Sequence, residues 1–151
     1  MTTLNRRRAA NLLPKFWRPK LAPMAQLDAK IIHNDLVTRF TDGTASVGDL
    51  WDWMETGFTY SQMMRLLALD GTEFTPEAEA AIVLQLDAYP AICERLRKTG
   101  RVGLTGPELK IARDAAEVMD GLIDMDRNGI AQQAAQWSID QMAKIRRAAA
   151  R

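Results

Sequence analysis

No stretch of this 151-residue chain alternates apolar and polar side chains with the period of two that a half-buried strand needs. Apolar residues recur instead at spacings of three and four, and capping residues repeatedly open the pattern. The clearest case is "GPELKIARDAAEVMDGLIDMD", residues 106–126. There Thr105 and Glu108 form a capping box, and Leu109, Ala112, Ala116, Met119 and Ile123 share one helical face. Upstream, "MAQLDAKIIHNDLVTRF" groups Ala25, Ala29, Ile32, Leu36, Val37 and Phe40 in the same way. "TDGTAS" breaks that helix, and Ser46 with Asp49 opens the next, "VGDLWDWMETG".

Further punctuation divides the rest of the chain. Gly57 is expected to end the second helix, Thr59 with Gln62 to cap a short one, "YSQMMRLLAL", and Thr75 before Pro76 to cap another. Pro90 should kink or restart that last helix, because proline cannot donate to the preceding turn. Beyond Asn128-Gly129 two short helices are expected, the second capped by Ser138. The fold class that follows is all-α: a single-domain bundle of about five to seven helices over residues 23–151, preceded by an arm, residues 1–22, that lacks sustained periodicity.

Composition agrees with one packed domain. The chain is 47% hydrophobic and 26% charged, within the ordinary globular range. At this length it can bury roughly 68–70% of its extended surface without a disulfide or metal staple. The single cysteine, Cys93, cannot form an internal bridge, and one cysteine with one histidine leaves no zinc site of the usual ligand types. With no signal-peptide region and no apolar run of about 18 residues, a cytoplasmic protein with no membrane contact is the expectation.

The net charge of +1 is a sum of opposite fields. Residues 1–20 carry Arg6, Arg7, Arg8, Lys15, Arg18 and Lys20 and no acid, a local +6. Residues 35–94 carry eleven acids against Arg39 and Arg65, a local −9, and basic charge returns at Arg95, Arg97, Lys98 and Arg101 and again near the C-terminus. Six cations interleaved with Phe16 and Trp17 suit nonspecific contact with nucleic acid, neutralising phosphates and stacking a base. The other reading, favoured because charge runs are often solvated tails, folds the arm over the chain's own acidic middle or leaves it solvated.

Motifs that would carry chemistry fall short of it. In "LIDMDRNGIAQQAA", Asp124, Asp126, Asn128 and Gly129 match positions 1, 3, 5 and 6 of an EF-hand loop, but position 12, where calcium needs a bidentate Glu, is Ala135. The stretch is read as a helix break, and no metal or cofactor is expected. "FTYSQMMRLLALDGTEFTPEAEAAI" has the layout of a helix-turn-helix, yet its second helix opens with Glu77 and Glu79 and offers no base-reading side chain, which favours two packed core helices. His33 falls on the apolar face of its helix and is read as a satisfied core or boundary residue, and Cys93 has no neighbour beyond Arg97 to activate it. "TGRVGLTGPE", with Arg101 beside a helix start, is a connector and at most a modest anion seat. No catalytic residue is assigned.

The segments "LLPKFWRPKL", "WDWMETGFTYSQM" and "TGRVGLTGPELKIARDAAEVMD", in that order, resemble short helical proteins encoded on proteobacterial prophages and other mobile elements. The resemblance implies an accessory or regulatory role and no reaction. Taken with the charge pattern, it points to a non-enzymatic interaction protein. Its acidic, aromatic centre, with Trp51, Trp53 and Tyr60 as anchors beside Asp49, Asp52 and Glu55, would meet a protein partner. The alternative is a nonspecific nucleic-acid binder using Arg6, Arg7, Arg8, Lys15, Trp17, Arg18 and Lys20.

Overall fold

The computed structural model describes residues 22–126 and 129–150. These form five helices and, among the described residues, no strand: α1 Ala22–Asp42, α2 Val47–Leu69, α3 Pro76–Thr99, α4 Gly106–Met125 and α5 Ile130–Ala149. None is long and apolar enough to cross a membrane. The expected arm, with Arg6, Arg7, Arg8, Lys15, Trp17, Arg18 and Lys20, lies outside the described residues.

Local chemistry sets most boundaries. The Ser46 backbone N–H donates to the Asp49 carboxylate (2.7 Å) at the start of α2, and Thr75 Oγ1 accepts from the Ala78 N–H (3.2 Å) at the start of α3. Thr105 and Glu108 exchange both bonds of a capping box at the start of α4. The α3–α4 and α4–α5 connections turn at Gly100 and Gly129, with φ of 70° and 71°, left-handed values that a side chain disfavours.

Two expected breaks are absent, which brings the helix count to the low end of the range. α2 runs uninterrupted through Gly57, which is buried, and a Cβ there would stand 2.6 Å from Leu86 Cδ2 of α3. Gly57 is therefore a close-approach site between two helices, not a stop, and Thr59 sits inside the helix with its hydroxyl donating to the Glu55 carbonyl (2.9 Å). Ser138 likewise lies within α5, fully buried, and donates across to the same Glu55 carbonyl (2.9 Å) instead of capping a new helix. α3 also continues through Pro90, on its exposed side, with no restart.

α2 packs on α5 along one flank and on α3 along another, while α4 packs on α1 and α3. One core cluster gathers Tyr60, Met63, Leu67, Ile82, Met119 and Ile130, and a second gathers Leu36, Phe40, Leu50, Trp53, Ile92 and Ala112. The small residues Ala112, Ala115 and Ala116 on α4 let its neighbours approach closely. Within "FTYSQMMRLLALDGTEFTPEAEAAI", Tyr60, Met63 and Ile82 meet in one core cluster, while Glu77 and Glu79 stay exposed in the first turn of α3. The two helices of that segment are packed core helices. The predicted face of α1 is displaced at one position: His33, Leu36 and Phe40 are buried, but Ile32 is 68% exposed.

Candidate binding groove

α1 and α5 both lie against α2 without extensive contact with each other, so α2 becomes the floor of a groove between them. α1 runs antiparallel to α2, with His33 opposite Tyr60 and Phe40 opposite Trp53. α5 is antiparallel as well, pairing Trp137 with Phe58 and placing the Arg146 guanidinium 4.6 Å from the Trp51 ring centre. The groove encloses about 350 Å³. Ala29, Ile32, Ile123, Ala131 and Ala135 supply its apolar walls, Met63, Tyr60, Thr59 and Thr56 its floor, and Glu55 and Asp52 one end.

His33 also lines the groove beside Tyr60, and from these two rings a polar chain crosses three helices. His33 Nε2 lies 2.6 Å from Asp120 Oδ1, and His33 Nδ1 lies 3.0 Å from the Tyr60 hydroxyl. An ionised carboxylate can only accept, so Nε2 carries the proton donated to Asp120 and Nδ1 accepts from Tyr60. Asn34 also donates to Asp120 Oδ1 (3.0 Å). Burial holds the His33 imidazole below its usual pKa despite the pull of Asp120, and burial pushes the Tyr60 phenol above its ordinary range. Both rings are therefore neutral near pH 7, and Tyr60 is a locked hydrogen-bond donor, not an activated nucleophile. The satisfied core histidine of the sequence reading is found here. Its partner Asp120 is 87 residues away and could not have been named from the sequence.

The residues expected to bind a partner divide sharply. Asp52, Glu55 and Tyr60 line the groove. Asp52 is exposed and Glu55 half-buried, and neither carboxylate has a hydrogen-bond or ion-pair partner among the described residues. Trp51 is half-buried beneath Arg146. Trp53, at 1% exposure, is a core residue, correcting its expected place as a surface anchor: its Nε1–H donates to the Gln85 carbonyl (2.8 Å) and its ring meets Phe40 edge-on. Tyr60 too is buried, and reaches the groove only as part of its floor. Asp49 does not line the groove, and its carboxylate is already engaged by Ser46 and Arg39. Burial alone would raise its pKa, but those donors outweigh it and hold it low.

Other sequence candidates prove structural. Asp126 accepts from the Ile130 and Ala131 N–H groups (2.9 and 3.2 Å) and so caps α5, while Asp124 pairs with Lys30 (2.6 Å). No group of three or more His, Cys, Asp or Glu among the described residues converges as a metal site. The α4 N-terminus, by sequence a connector and at most a modest anion seat, already holds the Glu108 carboxylate, which Arg95 grips through both terminal nitrogens (2.9 and 2.6 Å). Cys93 is half-buried on α3 beside Tyr89, remote from the groove. Sequence reading missed Thr56, Thr59, Ile32 and Ala135 as groove residues, since only the packing of three separate helices brings them together. Compared with family models, curated proteins and solved structures, the chain finds no match in any of the three.

Proposed function

We propose that the protein is a non-enzymatic helical interaction module that receives a basic, apolar segment of a protein partner in the groove between α1 and α5. The observation that carries this reading is the pair of carboxylates, Asp52 and Glu55, unpartnered among the described residues, at the end of a largely apolar cleft of about 350 Å³. That volume lies within the usual range for binding sites. Asp52 and Glu55 are three residues apart on one helix, hence on one face, and together would seat a lysine or arginine whose apolar neighbours fill the channel. The His33–Tyr60–Asp120 polar chain is internally satisfied and holds α1 on α2 and α4, which suits a preorganised surface better than a reacting centre. The resemblance to helical proteins of mobile elements adds the expectation that the partner interaction is regulatory.

The test is titration of the isotope-labelled full chain with two synthetic amphipathic peptides, one with lysines on its polar face and one with glutamates. The basic peptide should shift the amides of Thr56, Thr59, Ala131 and Ala135, and the acidic one should not. Replacing Asp52→Lys and Glu55→Lys together should weaken binding tenfold or more while the helical circular dichroism stays unchanged. Equal binding of both peptides, or of both proteins, would overturn the proposal.

A further inference from the structure

We infer that the first occupant of this groove is the chain's own basic arm, residues 4–20, so that the module is self-covered and a partner must displace it. The inference rests on the groove reading above and adds what competes for the site. Three observations support it. The arm has the required chemistry: "LNRRRAANLLPKFWRPK" combines six cations with Leu12, Leu13, Phe16 and Trp17 and contains no acid. The groove has the complement, Asp52 and Glu55 unpartnered among the described residues and apolar walls whose rim residue Ile32 stands 68% exposed.

The third observation is position. α1 begins at Ala22, and its early residues flank one end of the groove: Gln26 donates to the Ile123 carbonyl (3.3 Å), and both Ile123 and Ala29 line the cleft. From Ala22 to Ala29 is about 10 Å along the helix, and the floor from Met63 to Asp52 spans about 16 Å. An extended chain covers roughly 3.3 Å per residue, so fewer than ten residues reach from the start of α1 to Asp52. Twenty-one residues precede Ala22. A segment tethered this closely acts at a millimolar effective concentration, so even modest intrinsic affinity keeps the groove filled.

The test compares two full-length proteins, the natural chain and one in which Arg6, Arg7, Arg8, Lys15, Arg18 and Lys20 are all replaced by Gln. The probe is a synthetic peptide of residues 4–20. If the arm covers the groove, the peptide binds the neutralised chain about tenfold or more tightly than the natural one, and Asp52→Lys with Glu55→Lys removes binding to both. Equal affinity for the two chains, still lost with the charge reversal, would overturn self-coverage and leave the groove reading standing. Absence of binding to either chain, or binding indifferent to Asp52 and Glu55, would overturn both.

Discussion

Replacing Gly57 by alanine tests whether α2 and α3 are held together by the absence of a side chain. The new Cβ would lie 2.6 Å from Leu86 Cδ2 and 3.1 Å from Leu86 Cγ. Carbon atoms in contact sit at about 3.5–4.0 Å, so the neighbour must move by roughly 1 Å. Overpacking of this kind costs about 1–3 kcal/mol. Against it stands the gain from alanine over glycine in a helix interior, about 1 kcal/mol. The net expectation is a loss of about 0–2 kcal/mol. Gly121 provides the control: it is exposed in α4, nothing lies within 4 Å of its added Cβ, and Gly121→Ala should stabilise by up to about 1 kcal/mol. Both changes carry the same propensity gain, so their difference, about 1–3 kcal/mol, isolates the steric contact. Urea unfolding of the two variants measures it. Adding Leu86→Ala to Gly57→Ala removes the clashing atoms, so the double variant should lose less than the sum of its single changes. If Gly57→Ala stabilises as much as Gly121→Ala, or if trimming Leu86 gives no such coupling, the close approach is refuted.

Two further outcomes are expected. Trp53→Ala should cost about 3–5 kcal/mol because it empties the core between α1, α2 and α3, whereas Trp51→Ala should lose chiefly its contact with Arg146, about 0.5–1 kcal/mol for the cation–π component; similar losses in urea unfolding would contradict the burial assigned to the two rings. Acid should destabilise the fold in two windows. His33 has a depressed folded pKa, so the unfolded chain takes the extra proton first and stability falls as pH drops below 6.5. Asp49 and Glu108 are held below 3.8 and 4.5, so their stabilisation is present above those values and lost beneath them. His33→Gln should flatten the upper window alone, and an unchanged slope of stability between pH 7 and pH 5 in that variant would remove His33 as its source.

The helical class, and most helix ends, followed from interactions that reach three or four residues along the chain. Thr105 with Glu108, Ser46 with Asp49, and Thr75 before Pro76 satisfy backbone donors of their own first turn, and Gly100 and Gly129 supply a left-handed turn at the point of use. Such signals are complete within a short window and do not depend on what packs nearby. Gly57 and Ser138 carry the same letters but act across the fold, one by admitting Leu86 and the other by bonding the Glu55 carbonyl, and so were misread as punctuation. The groove was legible only in part. Asp52 and Glu55 declared an acidic helix face, but whether Trp51, Trp53 or Tyr60 stood beside them depended on how α2 was rotated. That rotation came from packing: α3 took the Gly57 and Trp53 side, α5 took the Trp51 and Phe58 side, and the strip left between α5 and α1 retained Asp52, Glu55 and Thr56. His33 waited on Asp120, 87 residues away, for the same reason. Periodicity tells a helix which residues share a face, whereas only its neighbours decide which face is covered.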